Sequence, residues 1–483
     1  MGNNIKDIQQ IKSLIAKGKE MGFLTFEEVN KAVPLEMNTP EQFEEIIGIF
    51  DQLEIAIVDL EKDGKKSGAL SALQALVVST ATRVGMGNLV GVVAAISAGG
   101  AGAVFWMWIS ALLGSSTAFI EATLSQLYKQ KDPLYGGYRG GPAYYIHQYA
   151  EQKLGGKPRR YSVIAVLFAI SGLICWCGIS QVISNSVSSS FQNAFNIPPL
   201  YSTVLLVALA AVIVLRKNAS VKVLDVLVPI MAGCYFLITI FLLIKNAALL
   251  PSVFQRIFEE AFGIRQVVAG GFGAVLMQGV KRGLFSNEAG SGSAPCAAAA
   301  AHVSHPAKAG LMQALGVFID TLLICTATAF MLLCSGVEPD AALEGAPYVQ
   351  AALSAVFGPI GPMFITVAMV LFAFTTLIGN LYYVDNCLNY IVKKVPAKEF
   401  MVLFRIDAML LIFIGAGMQI GTVWNLADVL MGVMALINLP VIILLSRPAL
   451  LALKDYTAQK NTGRNPVFKA ETVGLKGKTE YWN

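Results

Sequence analysis

The chain has 483 residues, of which 55% are hydrophobic and 14% charged, with a mean hydropathy of +0.62 and a formal net charge of +5. Globular domains carry about 25% charged residues, so this composition excludes an ordinary soluble protein and points to a polypeptide that is mostly membrane. The seven cysteines (Cys175, Cys177, Cys234, Cys296, Cys325, Cys334 and Cys387) fall in or beside apolar segments, with neither a Cys-x-x-Cys pair nor zinc-like spacing, and read as buried packing residues. The first residues are amphipathic and acidic, unlike a secretory signal, and no Gly-x-x-x-x-Gly-Lys-Ser/Thr loop is present to bind ATP.

Residues 1–66 differ in kind from the rest because they carry more acid than base. Ile8, Ile11, Leu14 and Ile15 recur at helical spacing. Thr25-Phe26-Glu27-Glu28 reads as a capping box opening a second helix, and Thr39-Pro40-Glu41-Gln42 opens a third. A small soluble helical domain is expected over 1–66, followed by a linker at 61–68. Its run from Ile11 through Gly22-Phe23-Leu24-Thr25 and Pro40-Glu41-Gln42 to Val58-Asp59 resembles region 1.1 of primary bacterial sigma factors.

From Ala69 onward, apolar segments long enough to cross about 30 Å of hydrocarbon recur. About ten are expected, near 70–98, 102–127, 161–190, 201–215, 223–248, 266–300, 309–335, 358–390, 401–419 and 423–446. Lysines and arginines cluster before the first, in the 129–160 loop, at 216–222, at 393–398 and after Arg447, all on one side by alternation, which places both termini in the cytoplasm. Residues 251–260 read as an amphipathic helix lying at the outer surface. The transmembrane core is expected over 69–450, with a cytoplasmic tail at 451–483.

Two glycine-broken stretches interrupt otherwise apolar helices at corresponding places in the two halves: Arg83-Val84-Gly85-Met86-Gly87-Asn88 and Arg282-Gly283-Leu284-Phe285-Ser286-Asn287. In a bilayer such interruptions are tolerated where the freed backbone groups line a cavity or hold an ion, which points to a secondary transporter. An amino-acid zwitterion needs donors for its carboxylate, and the backbone N–H groups of Met86, Gly87 and Asn88 supply them at the positive end of a half-helix. Gln181, an amide in mid-helix, is expected to reach the ligand or a broken backbone. Phe272 and Leu276 share a helix face that would wall the substrate side chain, although such pairs also serve ordinary packing. Thr375 and Thr376 offer hydroxyls suited to sodium; adjacent threonines also bond back to carbonyls one turn earlier. Asp320, deep in the seventh span, reads either as a partner for Arg83 or Arg282 or as a proton acceptor, while Glu121, Asp225, Asp385 and Asp428 sit nearer helix ends. No nucleophile, base and acid converge at recognisable spacing, so no enzyme is expected.

The run Gly99-Gly100-Ala101-Gly102-Ala103-Val104-Phe105-Trp106-Met107-Trp108-Ile109-Ser110-Ala111-Leu112-Leu113-Gly114 resembles the diagnostic pattern of the alanine/glycine:cation symporter family. Val84 to Asn88, Gly140-Gly141-Pro142-Ala143-Tyr144-Tyr145-Ile146, Gly279 to Gly290 and Phe318-Ile319-Asp320-Thr321 resemble it too, so the likeness runs from about 69 to 447. It implies an all-α membrane protein of the LeuT type, two inverted five-helix repeats, that takes up alanine, glycine or a similar neutral amino acid with sodium across the bacterial inner membrane. It also implies sodium ligands at the carbonyls of Ala81, Val84 and Phe372 beside Thr375 and Thr376, with sodium as coupling ion and no other cofactor. Relatives often carry tryptophan where this chain has Asn380, which implies a roomier substrate pocket and makes glutamine a candidate substrate. A proton-coupled carrier of the same fold and an amino-acid sensor acting through residues 1–66 are the alternatives. No nucleic acid is expected to bind the core.

Overall fold

The computed structural model describes residues 13–15, 23–25, 56–58, 70–71, 85–131, 138–153, 160–214, 230, 233, 235–264, 271–339, 343, 345–393, 398–463 and 465–482. By contact the chain divides into two compact units, residues 1–71 with 135–137, and 72–134 with 138–483. In the first, β1 (Phe23–Thr25) pairs in parallel with β2 (Ala56–Val58), Leu24 opposite Ile57, and a helical turn at 13–15 buries Leu14. The helices expected after Thr25 and Thr39 lie outside the described residues.

The second unit is helical, with one short hairpin of β3 (Gln130–Lys131) and β4 (Tyr138–Arg139). In chain order its helices are α1 (Gly87–Gly99), α2 (Gly102–Leu127), α3 (Pro142–Lys153), α4 (Val163–Phe195), α5 (Pro199–Val214), α6 (Tyr235–Lys245), α7 (Leu250–Ala261), α8 (Gly271–Asn287), α9 (Ala294–Ala300), α10 (Pro306–Leu333), α11 (Ala346–Phe357), α12 (Ile360–Val392), α13 (Lys398–Ala416) and α14 (Ile420–Asn461). Among the described residues α2, α4, α10, α12 and α14 are each long and apolar enough to cross a bilayer, while α6 and the segment ending in α7 reach that length only together, with a bend of 74° between them. The bend follows from composition. Apolar Tyr235–Lys245 suits hydrocarbon, whereas α7 buries Val253, Ile257, Glu260 and Ala261 on one face and exposes Phe254, Gln255 and Phe258 on the other.

Two groups of helices meet around the breaks. α2 packs on α8, α9 and α10, while α4 packs on α12, α13 and α14. Small residues set the close approaches: a Cβ on Gly279 of α8 would lie 2.4 Å from the Ala103 carbonyl oxygen of α2. The last helix exceeds its expected limit of residue 446. At 1.5 Å per residue α14 is about 63 Å long, twice the hydrocarbon thickness, so its C-terminal part leaves the bilayer.

The segment after α14 folds back rather than trailing away. Trp482 Nε1 donates to the Gln126 carbonyl at 2.8 Å, the Lys129 ammonium sits 3.7 Å over the Tyr481 ring, and Phe468 packs edge-on against His305.

Candidate functional site

The first break is closed by its own asparagine. Asn88 Oδ1 accepts from Gly85 N at 3.1 Å, and Asn88 N donates to the Gly85 carbonyl at 3.2 Å, a compact turn that starts α1. Residues 87–91 then adopt a π-helical register, which is frequent at functional sites. Met86 and Asn88 are each 2% exposed, so the turn lies inside the protein. Of the three N–H groups expected to meet a carboxylate, that of Asn88 is already committed to Gly85. Met86 and Gly87 stand at the helix start, where N–H groups lack acceptors within the helix itself.

A second π-helical stretch, Phe318–Cys325 in α10, faces the first. Its Asp320 is fully buried and accepts from Asn88 Nδ2 at 2.6 Å on one carboxylate oxygen and from Ser286 Oγ at 2.7 Å and Thr321 Oγ1 at 2.9 Å on the other. Asp320 therefore meets an amide and two hydroxyls. Arg282, its expected partner, instead makes a two-pronged ion pair with Asp428 of α14 at 3.0 and 2.8 Å and lies 4.2 Å over Trp424. Arg83 lies outside the described residues.

The second break is built from left-handed backbone. α8 ends at Asn287, Glu288 has φ of 55°, Gly290 and Gly292 have φ of 82° and 90°, and α9 restarts at Ala294 with proline in its first turn. Gly290 N donates to Glu121 Oε1 at 3.2 Å, while Asn438 Nδ2 donates to Glu121 Oε2 at 3.1 Å and to the Gly290 carbonyl at 3.0 Å. Tyr145 Oη donates to Asn438 Oδ1 at 2.5 Å, linking α3 to this knot. Glu121, read from sequence as a helix-end residue, is fully buried. Asn287 was named in the sequence only as part of the broken motif. Its Oδ1 accepts from Ala289 N at 3.0 Å, but its Nδ2 has no hydrogen-bond partner among the described residues although the side chain is fully buried. A buried donor left open beside a helix break suits a ligand acceptor.

On α12, Thr375 Oγ1 and Thr376 Oγ1 both donate to the Phe372 carbonyl, at 3.0 and 2.7 Å. This is the back-bonding that adjacent threonines adopt in apolar helices. The same geometry holds two of the expected sodium ligands, the Thr375 and Thr376 hydroxyls, within hydrogen-bond distance of a third, the Phe372 carbonyl. Ala81 and Val84, the remaining two, lie outside the described residues.

The other residues named as substrate contacts lie on α4, α8 and α12. Gln181 packs its Cα, Cβ and Cγ against Gly415 of α13. Asn380 lines a small cavity of about 30 Å3 with Trp176, Ser180 and residues 404–412 of α13; its Nδ2 is 3.5 Å from Ser180 Oγ and its Oδ1 has no partner among the described residues. The stem of Gln181 thus lies against α13, with its buried Oε1 lacking a partner among the described residues, and Asn380 lies between α4 and α13. Phe272 is 46% exposed and meets Trp106 edge-on at 5.7 Å. Helical rise puts Phe272 about 20 Å, and Leu276 about 14 Å, from Phe285 along α8, too far for either to wall a ligand at the break.

Residues 42–470 match the sequence profile of the sodium:alanine symporter family. The chain belongs to that family. It is 44% identical over 431 residues to the amino-acid carrier protein AlsT of Bacillus subtilis, covering 88% of each chain. It is 41% identical over 420 residues to the probable sodium/glutamine symporter GlnT of the same organism, covering 86% of this chain and 85% of that one. Among solved structures it resembles MhsT in complex with L-phenylalanine, with a TM-score of 0.55 at 14% identity over 85% of this chain and 96% of that chain, a likeness of fold. The protein is thus a multi-pass membrane transporter of the LeuT type and not an enzyme.

Proposed function

We propose that this symporter carries small neutral amino acids, alanine and glycine first, into the cell with sodium by alternating access, with both termini cytoplasmic. The reading rests chiefly on one observation: two broken helices meet at Asn88, Asp320 and Ser286, leaving helix-start N–H groups and the open Asn287 amide where a carboxylate would bind. The coupling ion is assigned to the carbonyl of Phe372 with the hydroxyls of Thr375 and Thr376, completed by Ala81 and Val84. All are neutral oxygens, which can replace the hydration shell of sodium, a hard monovalent cation. Glutamine joins the candidate substrates through the relative named for it, while Asn380 lines a cavity between α4 and α13. The buried Asp320 carboxylate favours a second reading in which a proton accompanies or replaces sodium.

The test is uptake of radiolabelled alanine into liposomes containing the purified protein, driven in turn by a sodium gradient and by a proton gradient, with unlabelled glycine, glutamine and leucine as competitors. Sodium-driven uptake inhibited by glycine supports the proposal. Uptake driven by protons alone selects the second reading, and uptake under neither gradient refutes both.

A further inference from the structure

A single offset of 199 residues aligns Arg83 with Arg282 and Asn88 with Asn287, the first and last residues of the two broken motifs. The same offset carries Glu121 of α2 onto Asp320 of α10. Asp320 stands in the Phe318-Ile319-Asp320-Thr321 stretch and Glu121 in none of the motifs, so the motifs alone give no reason to pair them. The contacts do. Glu121, on the second helix of the first repeat, holds Gly290 N in the break of the second repeat. Asp320, on the second helix of the second repeat, holds Asn88 in the break of the first. Both are fully buried.

The two ties hold different halves of the site. Asp320 joins α1 to α8 through Asn88 and Ser286, and these two half-helices also pack together where Gly99 meets Gln278. Glu121 joins the turn leading into α9 to α14 through Asn438, which Tyr145 fastens to α3. We infer that Glu121 and Asp320 are a symmetry-related pair of positioning residues, each clamping the other repeat's broken helix, and that transport proceeds by releasing one clamp at a time.

The physical ground is the inverted repeat itself. In such a transporter the states open to either side arise from the two repeats exchanging roles around a fixed site. A tie that spans the repeats on one side must loosen when that side opens, and its counterpart must stay made, or both sides would open together. Buried hydrogen bonds to a charged group suit this: they are strong and directional, and each is made or unmade as a unit. With both termini cytoplasmic, the Asp320 clamp governs the outer side and the Glu121 clamp the inner.

The experiment compares Asp320→Asn with Glu121→Gln, which keep shape and remove charge, in the full chain reconstituted in lipid nanodiscs without substrate. Amide hydrogen exchange is followed by mass spectrometry. Asp320→Asn is expected to speed exchange several-fold in 87–99 and 271–287 while sparing 142–153 and 294–300; Glu121→Gln is expected to do the reverse. Ser286→Ala and Asn438→Ala repeat the comparison from the partner side and decide it if a carboxylate variant fails to fold. The same segments loosening in both variants, or none loosening, overturns the inference.

A functional arm rests on the proposed orientation and sodium coupling. External sodium binds the outward-open state, so the apparent affinity follows that state's population. Half-saturating external sodium should fall in Asp320→Asn and rise in Glu121→Gln, by two- to ten-fold each. Displacement in the same direction contradicts a paired clamp. The exchange arm needs neither substrate nor ion, so absence of sodium-driven uptake in the wild type refutes the proposed function without touching it.

Discussion

At the residue scale, chemistry was legible where a side chain acts through a motif and illegible where its direction is set by a neighbouring helix. Asn88 and Ser286 stood in the broken motifs, and the structure joins them through Asp320. Gln181 and Asn380 were equally conspicuous as buried amides, yet helical spacing says only that residues share a face, not which neighbour that face meets. Gly415 lies against the stem of Gln181, and Asn380 lines the cavity between α4 and α13. Two expectations follow. Thr375→Val with Thr376→Val keeps the shape of both side chains and removes both hydroxyls, so sodium-dependent uptake should vanish while the protein remains folded by thermal unfolding; unchanged sodium affinity in this double variant removes the ion assignment. Asn380→Trp should overfill a space of about 30 Å3 and lower stability by about 1–3 kcal/mol, with the ratio of alanine to glutamine transport unchanged. A ratio that shifts toward alanine in competition assays would place Asn380 at the substrate after all.

At the scale of elements, hydropathy located five of the ten expected spans, α2, α4, α10, α12 and α14, as single helices among the described residues, because a bilayer of about 30 Å leaves little freedom in length. The amphipathic helix appears as α7, whereas the second break falls later than the sequence reading put it: residues 282–287 continue α8, and the left-handed backbone begins only at Glu288, before α9. What length could not show is the 74° bend after α6, since one apolar run is equally compatible with a straight helix. The extension of α14 to Asn461 was also hidden, because the apolar run ends near residue 446 while the helix continues past it, with Pro440 and Pro448 inside. Helix contacts were likewise invisible, although glycines mark them. Gly279 lies against backbone of α2, where no rotamer change relieves a clash. Gly279→Ala should therefore lower the thermal stability of the detergent-solubilised protein by about 1–3 kcal/mol, whereas Gly273→Ala, with nothing within 4 Å of its Cβ, should leave it unchanged.

At the scale of the molecule, two inverted repeats were implied by the family resemblance, and the fold bears it out in the likeness to MhsT. The likeness of residues 1–66 to sigma region 1.1 stands on sequence alone. The tail was read as an appendage, yet its aromatic residues fasten it to the ends of α2 and α10. Polar loops give no periodic signal, so such docking is seen only when Trp482 is found beneath Gln126. Trp482→Ala removes a half-buried ring and its hydrogen bond, and should lower stability by about 1–3 kcal/mol. A melting temperature unchanged from wild type would show the tail to be passive.

The central claim is that neutral oxygens on α12 and two opposed helix breaks couple sodium to an amino acid. Its most direct test is the initial rate of alanine uptake into proteoliposomes with sodium outside and potassium inside, compared with potassium on both sides at the same pH. The account predicts concentrative uptake that requires inward-directed sodium, saturates with its concentration and is lost in the Thr375→Val, Thr376→Val protein. Uptake of equal rate and extent without sodium, or retained in that double variant, would contradict it.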